Sequence, residues 1–241
     1  LHKRWLRVTR RQIQSDPIYA AMIANMDWNI GRILDTLREE GIEKNTLVIF
    51  TSDNGGLATS EGSPTCNAPY KEGKGWMYDG GVRVPLLIRW PGHIPSGLRC
   101  SEPVSSPDLY PTLLEAAGLD ARPSQHCDGL SLLPLWKGSS HLPREALFWH
   151  YPHYGNQGGT PGSSIRSGDY KLIEFFEDGR LELYNLRQDP GEKRNLARRE
   201  PETTARLHEA LQKWRESVEA RLPSPNPDWN PRVGLRKPKA S

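Results

Sequence analysis

What is scarce in these 241 residues narrows the field first. No apolar stretch approaches the roughly 18 residues a membrane-crossing helix needs, so no membrane span is expected. Cysteine is rare. Cys66, Cys100 and Cys127 form neither a CxxC pair nor a metal-ligand spacing with histidine, and an odd count excludes a full disulfide framework while leaving one bridge open. Charge of one sign is also lacking: the net value is +3, and basic residues are scattered apart from the ends "HKRWLRVTRRQ" and "RVGLRKPK". Nucleic acid is therefore not an expected partner. There is no Asn-x-Ser/Thr acceptor, so glycosylation gives no hint of a eukaryotic secretory route. No internal repeat is visible. Neither a signal peptide nor an initial Met opens the chain, and Leu1 begins a charged stretch. The expectation is a piece of something longer, or a processed product.

What is present is the composition of an ordinary globular protein, 36% hydrophobic and 25% charged. The segment "SDPIYAAMIANMDWNIGRILDTLREEG" predicts a helix with both ends marked. Ser15 or Asp16 can cap it, Pro17 suits its first turn, and Gly41 suits the residue after its end. Met22, Met26, Ile30, Ile33 and Leu37 recur at helical spacing and predict one buried stripe. "NTLVIFTSD" follows as a continuous apolar run, expected to be a strand buried on both faces. "VRVPLLIRWPG" is a second strand, and "SPDLYPTLLEAAGL" a shorter helix ending at Gly118. Residues 119–163 show little periodicity and read as mostly ordered loop. Beyond them, short strands punctuated by Gly168-Asp169, Asp178-Gly179 and Pro190-Gly191 read as an antiparallel meander. "PETTARLHEALQKWRESVEARL" is a last amphipathic helix, with Leu207, Leu211, Trp214 and Val218 on one face. The expected layout is an α/β part over residues 1–150, a small antiparallel β plus helix subdomain over 151–222, and a Pro-rich, basic, irregular tail over 223–241.

The chemistry is expected where the strongest strand ends. "LVIFTSDNGG" delivers a carboxylate and a carboxamide into a turn, and ligands of α/β sheets gather beyond the carboxyl ends of strands. Asp, Asn and Gly are also ordinary turn residues, so the stretch alone is ambiguous. Oxygen donors of this kind suit Ca²⁺ or Mg²⁺ and suit zinc poorly. Two donors are too few for calcium, which takes about 6 to 8. In "YKEGKGWMYDGGVRVP", Lys74 stands between Gly73 and Gly75, where its ammonium can meet an anion's oxygens, although a solvated loop lysine would read the same way. Arg83 reads chiefly as an ion-pair partner that fixes the loop. "FWHYPHYGNQGGTPG" gathers rings and amides around His150 and His153, a mixture that suits a sugar and equally suits an aromatic packing cluster.

Taken together, "YAAMIANMDWNIGRIL", "NTLVIFTSDNGG", "GKGWMYDGGVRVPLLIRWPG", "DLYPTLLEAAG" and the later "SIRSGDYKLIEF" and "LELYNLRQDPGEKRNLA" resemble the C-terminal half of the type I sulfatases. That family belongs to the alkaline phosphatase superfamily, and the blocks run in its order over roughly residues 17–215. The resemblance implies part of a mixed α/β sheet flanked by helices, followed by a small antiparallel subdomain with a C-terminal helix. It implies that Asp53 and Asn54 are two ligands of an active-site calcium, with Mg²⁺ as the alternative. Lys74 would be the lysine that binds the sulfate ester and helps stabilise the leaving oxygen, and His150 and His153 would line a pocket for a sulfated small molecule or glycan. Export to periplasm, lysosome or medium would follow from the family's habits, and oligomeric state is left open.

Two departures from the family pattern stand out. Asp79-Gly80-Gly81 occupies a place where Glu-Gly-Gly is frequent, so a shorter carboxylate could loosen a loop contact. The larger departure is the formylglycine motif, Cys/Ser-x-Pro/Ala-x-Arg. "CNAPY", "CSEPV", "CDGLS" and "SDPIY" all fail it, the last with Tyr19 where Arg is required. The formylglycine nucleophile and the family's other acidic metal ligands are expected in an N-terminal half that these residues do not include, which leaves the chain alone catalytically incomplete. The competing readings are a phosphodiesterase or phosphonate hydrolase of the same superfamily, and a non-catalytic fragment that binds sulfated glycans.

Overall fold

The computed structural model describes residues 14–58, 64–224 and 227. The basic opening stretch, and the irregular tail expected from Pro223 apart from residues 223, 224 and 227, lie outside the described residues.

Helix α1 spans Pro17–Glu39. Asp16 caps it, its carboxylate accepting from the backbone N–H groups of Ile18 and Tyr19 at 2.8 and 3.0 Å. Those amides would otherwise be orphaned at a helix start. Gly41, at φ +70°, ends the run as the sequence predicts. The predicted buried stripe is not found: α1 has no buried residue, and Met22, Met26 and Ile33 are all exposed. Periodicity marks an apolar face, but burial needs a second surface, and no described element covers this one.

Strand β1 (Val48–Thr51) pairs antiparallel with β2 (Leu86–Arg89), and the two make a separate ribbon. The expectation of a strand buried on both faces is corrected here, since no β1 residue is fully buried and Leu87 of β2 is exposed. Between them lies a long excursion that includes the one-turn helix α2 (Asp79–Val82). Helix α3 (Leu109–Ala116) follows a 3₁₀ turn over Ser106–Asp108. Buried Leu132, Leu135 and Leu142, the first two at and within short helix α4 (Leu133–Trp136), gather Leu86, Ile88, Val104 and Leu109 into one cluster. Fully buried Asp108 ties it together, accepting from Arg144 at 2.7 Å and from the Leu130 N–H at 2.9 Å.

The second sheet is a four-stranded antiparallel meander of β3 (Leu147–Tyr151), β4 (Gly162–Ser167), β5 (Tyr170–Phe175) and β6 (Leu181–Asn185), in that order. Its last three strands are those the turn signals predict. Strand β3 stands where the sequence predicts ordered loop. Its Phe-Trp-His-Tyr run lacks polar alternation because both of its faces are partly covered. Helix α5 (Pro201–Ser217) lies across this sheet.

Side chains of a strand alternate between faces, and this sheet uses both. Ile165, Leu172 and Leu183 meet Leu207 and Leu211 of α5, with Phe148 stacked on Trp214 at 4.8 Å between ring centres. Val218, expected on the same face of the helix, stands outside it and is exposed. The next residue along each strand turns the other way. Ile173, Phe175 and Tyr184 pack on Met77 and Tyr78, which belong to the loop preceding α2. The meander is thus a slab between the terminal helix and the loop that carries Lys74.

Candidate functional site

Asp53 and Asn54 leave the end of β1 in a bend, with Asp53 exposed and Asn54 half-buried. The Ser52 hydroxyl donates to the Asn54 carbonyl at 2.8 Å. The glycines that follow are held from two sides. The Gly55 N–H donates to the Gly81 carbonyl of α2 at 2.8 Å, and the backbones come so close that a Cβ on Gly55 would collide with the Gly80 carbonyl. Gly56 is clamped by Asn67, whose Oδ1 accepts from the Gly56 N–H at 3.0 Å while its Nδ2 donates to the Gly56 carbonyl at 2.8 Å. The same Nδ2 reaches the Glu72 carbonyl at 3.0 Å.

Lys74 joins this corner through its backbone, its N–H donating to the Gly56 carbonyl at 3.1 Å. The acidic turn and the lysine loop are therefore directly hydrogen-bonded although Lys74 lies 18 positions beyond Gly56. No metal-binding group of three or more His, Cys, Asp or Glu side chains occurs among the described residues. The donors at hand are one carboxylate and one carboxamide, oxygen ligands of the type a hard cation takes, and they fit as part of such a site.

A third segment closes on the lysine loop. The Trp76 indole N–H donates to the Gln157 carbonyl at 3.3 Å, Gly158 lies against the Trp76 ring, and Gly159 lies against the Gly75 carbonyl. His153 belongs to the loop leading into this segment. It is exposed, with its ring edge-on to Tyr151 at 5.5 Å.

His150 is placed differently. It sits in β3 beside Ser163, in the same cross-strand row as Glu174, and Glu174 pairs with Arg215 of α5 at 2.6 Å. That row faces the terminal helix, away from Lys74. Both ring nitrogens of His150 are engaged, Nδ1 with the Ser163 hydroxyl at 2.7 Å and Nε2 donating to the Arg221 carbonyl at 2.8 Å. The structure thus gathers Asp53, Asn54, Lys74 and the His153 loop, and leaves His150 as a pin for the chain leaving α5.

The lysine loop is anchored to the meander by two polar clusters that the sequence does not announce. In the first, Tyr78 and Tyr184 both donate to Glu182 Oε2 at 2.7 Å, and the Lys71 ammonium lies 3.8 Å from the centre of the Tyr78 ring. Burial alone would push the Glu182 carboxyl up, but the two phenol donors and the Lys71 charge outweigh it and hold it below the usual range. Burial and the same carboxylate push both phenols far up. In the second, fully buried Lys171 of β5 contacts Asp79 Oδ1 at 2.9 Å and Glu192 Oε1 at 3.2 Å. The shorter Asp79 carboxylate therefore keeps its contact. Arg83 lies 3.6 Å from Asp79 Oδ2 and covers the Tyr70 ring, the loop-fixing ion pair expected of it.

Comparison with known proteins meets this geometry at both ends. Residues 72–217 match a family model described as N-sulphoglucosamine sulphohydrolase, C-terminal, and residues 3–119 match the model described as Sulfatase. The chain belongs to the sulfatase family. A curated sulfatase of Formosa agariphila is 40% identical over 209 residues, which is 79% of this chain and 37% of that protein. The solved structure of Ps i-CgsB in complex with k-i-k-neocarrahexaose superposes with a TM-score of 0.74 at 28% identity, covering 88% of this chain and 45% of that one. A second, BT4656 with its substrate D-glucosamine-2-N,6-O-disulfate, gives 0.68 at 27% identity over 82% of this chain and 39% of its own. This sulfatase chain thus spans less than half the length of each of these relatives. No described helix is long and apolar enough to cross a membrane.

Proposed function

We propose that this chain is the C-terminal portion of a sulfuric ester hydrolase that acts on a sulfated carbohydrate and is exported from the cytoplasm. Asp53 and Asn54 supply two oxygen ligands to an active-site calcium, and Lys74 binds the sulfate ester. The observation that carries this reading is the hydrogen bond from the Lys74 N–H to Gly56, which ties the lysine loop to the turn holding both donors. A sulfate ester is an anion whose charge shifts onto the leaving oxygen as the S–O bond breaks. An ammonium carried by an anchored loop beside a divalent cation suits that change, because donors already in place need little reorganisation as the charge develops. When bound, the cation polarises the sulfate oxygens.

Each residue of the chain has a defined task in this scheme. Asp53 and Asn54 would hold the cation beyond the end of β1. Lys74 holds one sulfate oxygen and steadies the leaving oxygen, its loop anchored between Gly56 and the meander. The loop around His153 and Tyr151 offers a ring face and a polar ring edge to a sugar. His150 has no part in it, since it faces α5. The formylglycine nucleophile and the remaining metal ligands belong to the part of the parent protein preceding these residues. The boundary expected at residue 150 falls inside β3, so in this division of labour the residues before β3 complete the catalytic α/β part, and the subdomain that braces it begins with β3.

One experiment tests the reading. The full-length parent protein is assayed with an aryl sulfate and with a sulfated monosaccharide, with and without calcium, beside Lys74→Ala and His153→Ala. Calcium-dependent hydrolysis is expected, with Lys74→Ala lowering kcat/KM by roughly 10²–10³, the scale for losing one preorganised charge-stabilising donor. His153→Ala should raise KM for the sugar alone. Wild-type protein inert on every sulfate ester but active on a phosphonate or phosphate diester would move the assignment to the neighbouring enzyme class.

A further inference from the structure

A fully buried ammonium of the meander meets Asp79, two residues along the chain from the backbone that holds the corner formed by Asp53, Asn54 and Lys74. Lys171 is a middle residue of the hydrogen-bonded slab, in register with Tyr184 on one side and Arg166 on the other. Its Nζ contacts Asp79 Oδ1 at 2.9 Å and Glu192 Oε1 at 3.2 Å. Glu192 Oε2 also accepts from the Asp79 backbone N–H at 2.7 Å, so Asp79 is gripped by both main chain and side chain. All three residues are almost or completely inaccessible to solvent.

Asp79 is the first residue of α2, a single turn whose two glycines touch the corner. Gly81 accepts the Gly55 N–H at 2.8 Å, and Gly80 is packed so closely that Gly55 has no room for a side chain. Gly80 in turn donates to the Lys71 carbonyl at 2.9 Å, which fixes the start of the lysine loop. The physical sequence is therefore short. Lys171 and Glu192 fix Asp79, Asp79 fixes α2, and α2 fixes both the residue following Asn54 and the loop that presents Lys74.

Four charges meet in this cluster, two carboxylates with Lys171 and Arg83, and they balance. A buried ion cluster is weak evidence for stability, since desolvation cancels much of its attraction, but it holds one geometry strictly. We propose that Lys171, with Glu192, is a positioning residue for the cation site, setting the spacing of the Asp53–Asn54 turn and Lys74 through Asp79 and α2. This rests on the reading of Asp53 and Asn54 as cation ligands.

The test uses the full-length parent protein, stripped of metal and titrated with Ca²⁺ by calorimetry, with aryl sulfate kinetics and thermal melts run in parallel. Lys171→Met should weaken Ca²⁺ binding by about tenfold, the lower end of the range for a partner bonded directly to a ligand, because Lys171 acts through Asp79 and α2. Its activity loss should be largely reversed by excess Ca²⁺, and Lys171→Arg should restore most of the affinity. Lys171→Met that melts earlier but binds Ca²⁺ as tightly as wild type would overturn the proposal, leaving the cluster a role in stability alone. Should Lys171→Met fail to fold, Glu192→Gln decides. It keeps the Lys171–Asp79 pair and an oxygen for the Asp79 N–H, and a smaller affinity loss in the same direction is expected. Unchanged affinity in that variant would equally overturn it. Wild-type protein that binds no Ca²⁺ would instead refute the cation reading itself, a result separate from any variant's behaviour.

Discussion

Glu182 accepts from two phenols at once, and through Tyr78 it ties the lysine loop to the sheet. A carboxyl held below its ordinary pKa in the folded state stabilises that state above the unfolded value, about 4.3, and the contribution is lost as pH falls through the folded value. The two phenols work from the other end. Burial and Glu182 raise them, so the folded state keeps protons that the unfolded chain begins to release near pH 10, and stability is lost as pH rises past that point. The Tyr78→Phe, Tyr184→Phe double variant of the full-length protein should thus be destabilised most near neutrality, by about 3–6 kcal/mol for two lost charge-assisted hydrogen bonds. The gap to wild type should narrow below pH 4 and above pH 10. Urea midpoints measured across pH check this, and a constant offset would mean the rings act by packing alone. At this scale the legible residues are those whose partners lie nearby in sequence. Asp16 caps the helix it precedes, and Arg83 pairs with Asp79 four residues before it, as the sequence predicts. Glu182 and Lys171 are illegible for the opposite reason: Tyr78 lies 104 residues from Glu182, and Asp79 lies 92 from Lys171. Nothing local marks a lysine in a strand as buried.

Among the elements, α2 shows how a four-residue turn comes to matter more than the longer helices around it. Its glycines exist for approach, since Gly55 and Gly80 pass so closely that a methyl group cannot fit between them. Gly55→Ala should force the turn after Asn54 away from α2. The expected cost is about 1–3 kcal/mol from overpacking, with a loss of Ca²⁺ affinity as the donors shift. Melting and calcium titration of the same sample separate these effects, and a variant that melts normally and binds Ca²⁺ normally would show that the close approach is dispensable. Sequence reading anticipates the strand that ends just before Asp53 and the last three strands of the meander, because apolar runs and Gly turns are local signals. It misses β3, where aromatic residues in a row carry no alternation, and so places His150 in a loop beside the substrate. Being in a strand reverses that. The alternation of β3 turns His150 toward α5 and Tyr151 toward the lysine loop, so one residue of register separates a packing pin from a candidate sugar contact.

For the molecule as a whole, the unresolved balance is the apolar face of α1. Met22 and Ile33, 11 residues apart and so nearly in line along the helix, are 63% and 59% exposed, and Leu87 on the β1–β2 ribbon is 59% exposed. An amphipathic helix gains its stability from the surface it covers, and a two-stranded ribbon alone is marginal in water. Both features make sense if the remainder of a sulfatase α/β domain packs there, in line with the chain spanning 37–45% of its relatives. That reading makes one pair of substitutions act with opposite signs in two contexts. In the 241-residue chain alone, Met22→Glu with Ile33→Glu should reduce self-association, because it breaks an exposed apolar stripe without unpacking anything. In the full-length protein the same pair should be strongly destabilising, by about 3 kcal/mol or more, since each buried side chain contributes about 1.5–3 kcal/mol and the carboxylates add a desolvation cost. Light scattering on the short chain and denaturant melts on the long one give the two readings. If the full-length protein melts unchanged, the face is open in the parent as well, and the ribbon and α1 are held by something other than the rest of the fold.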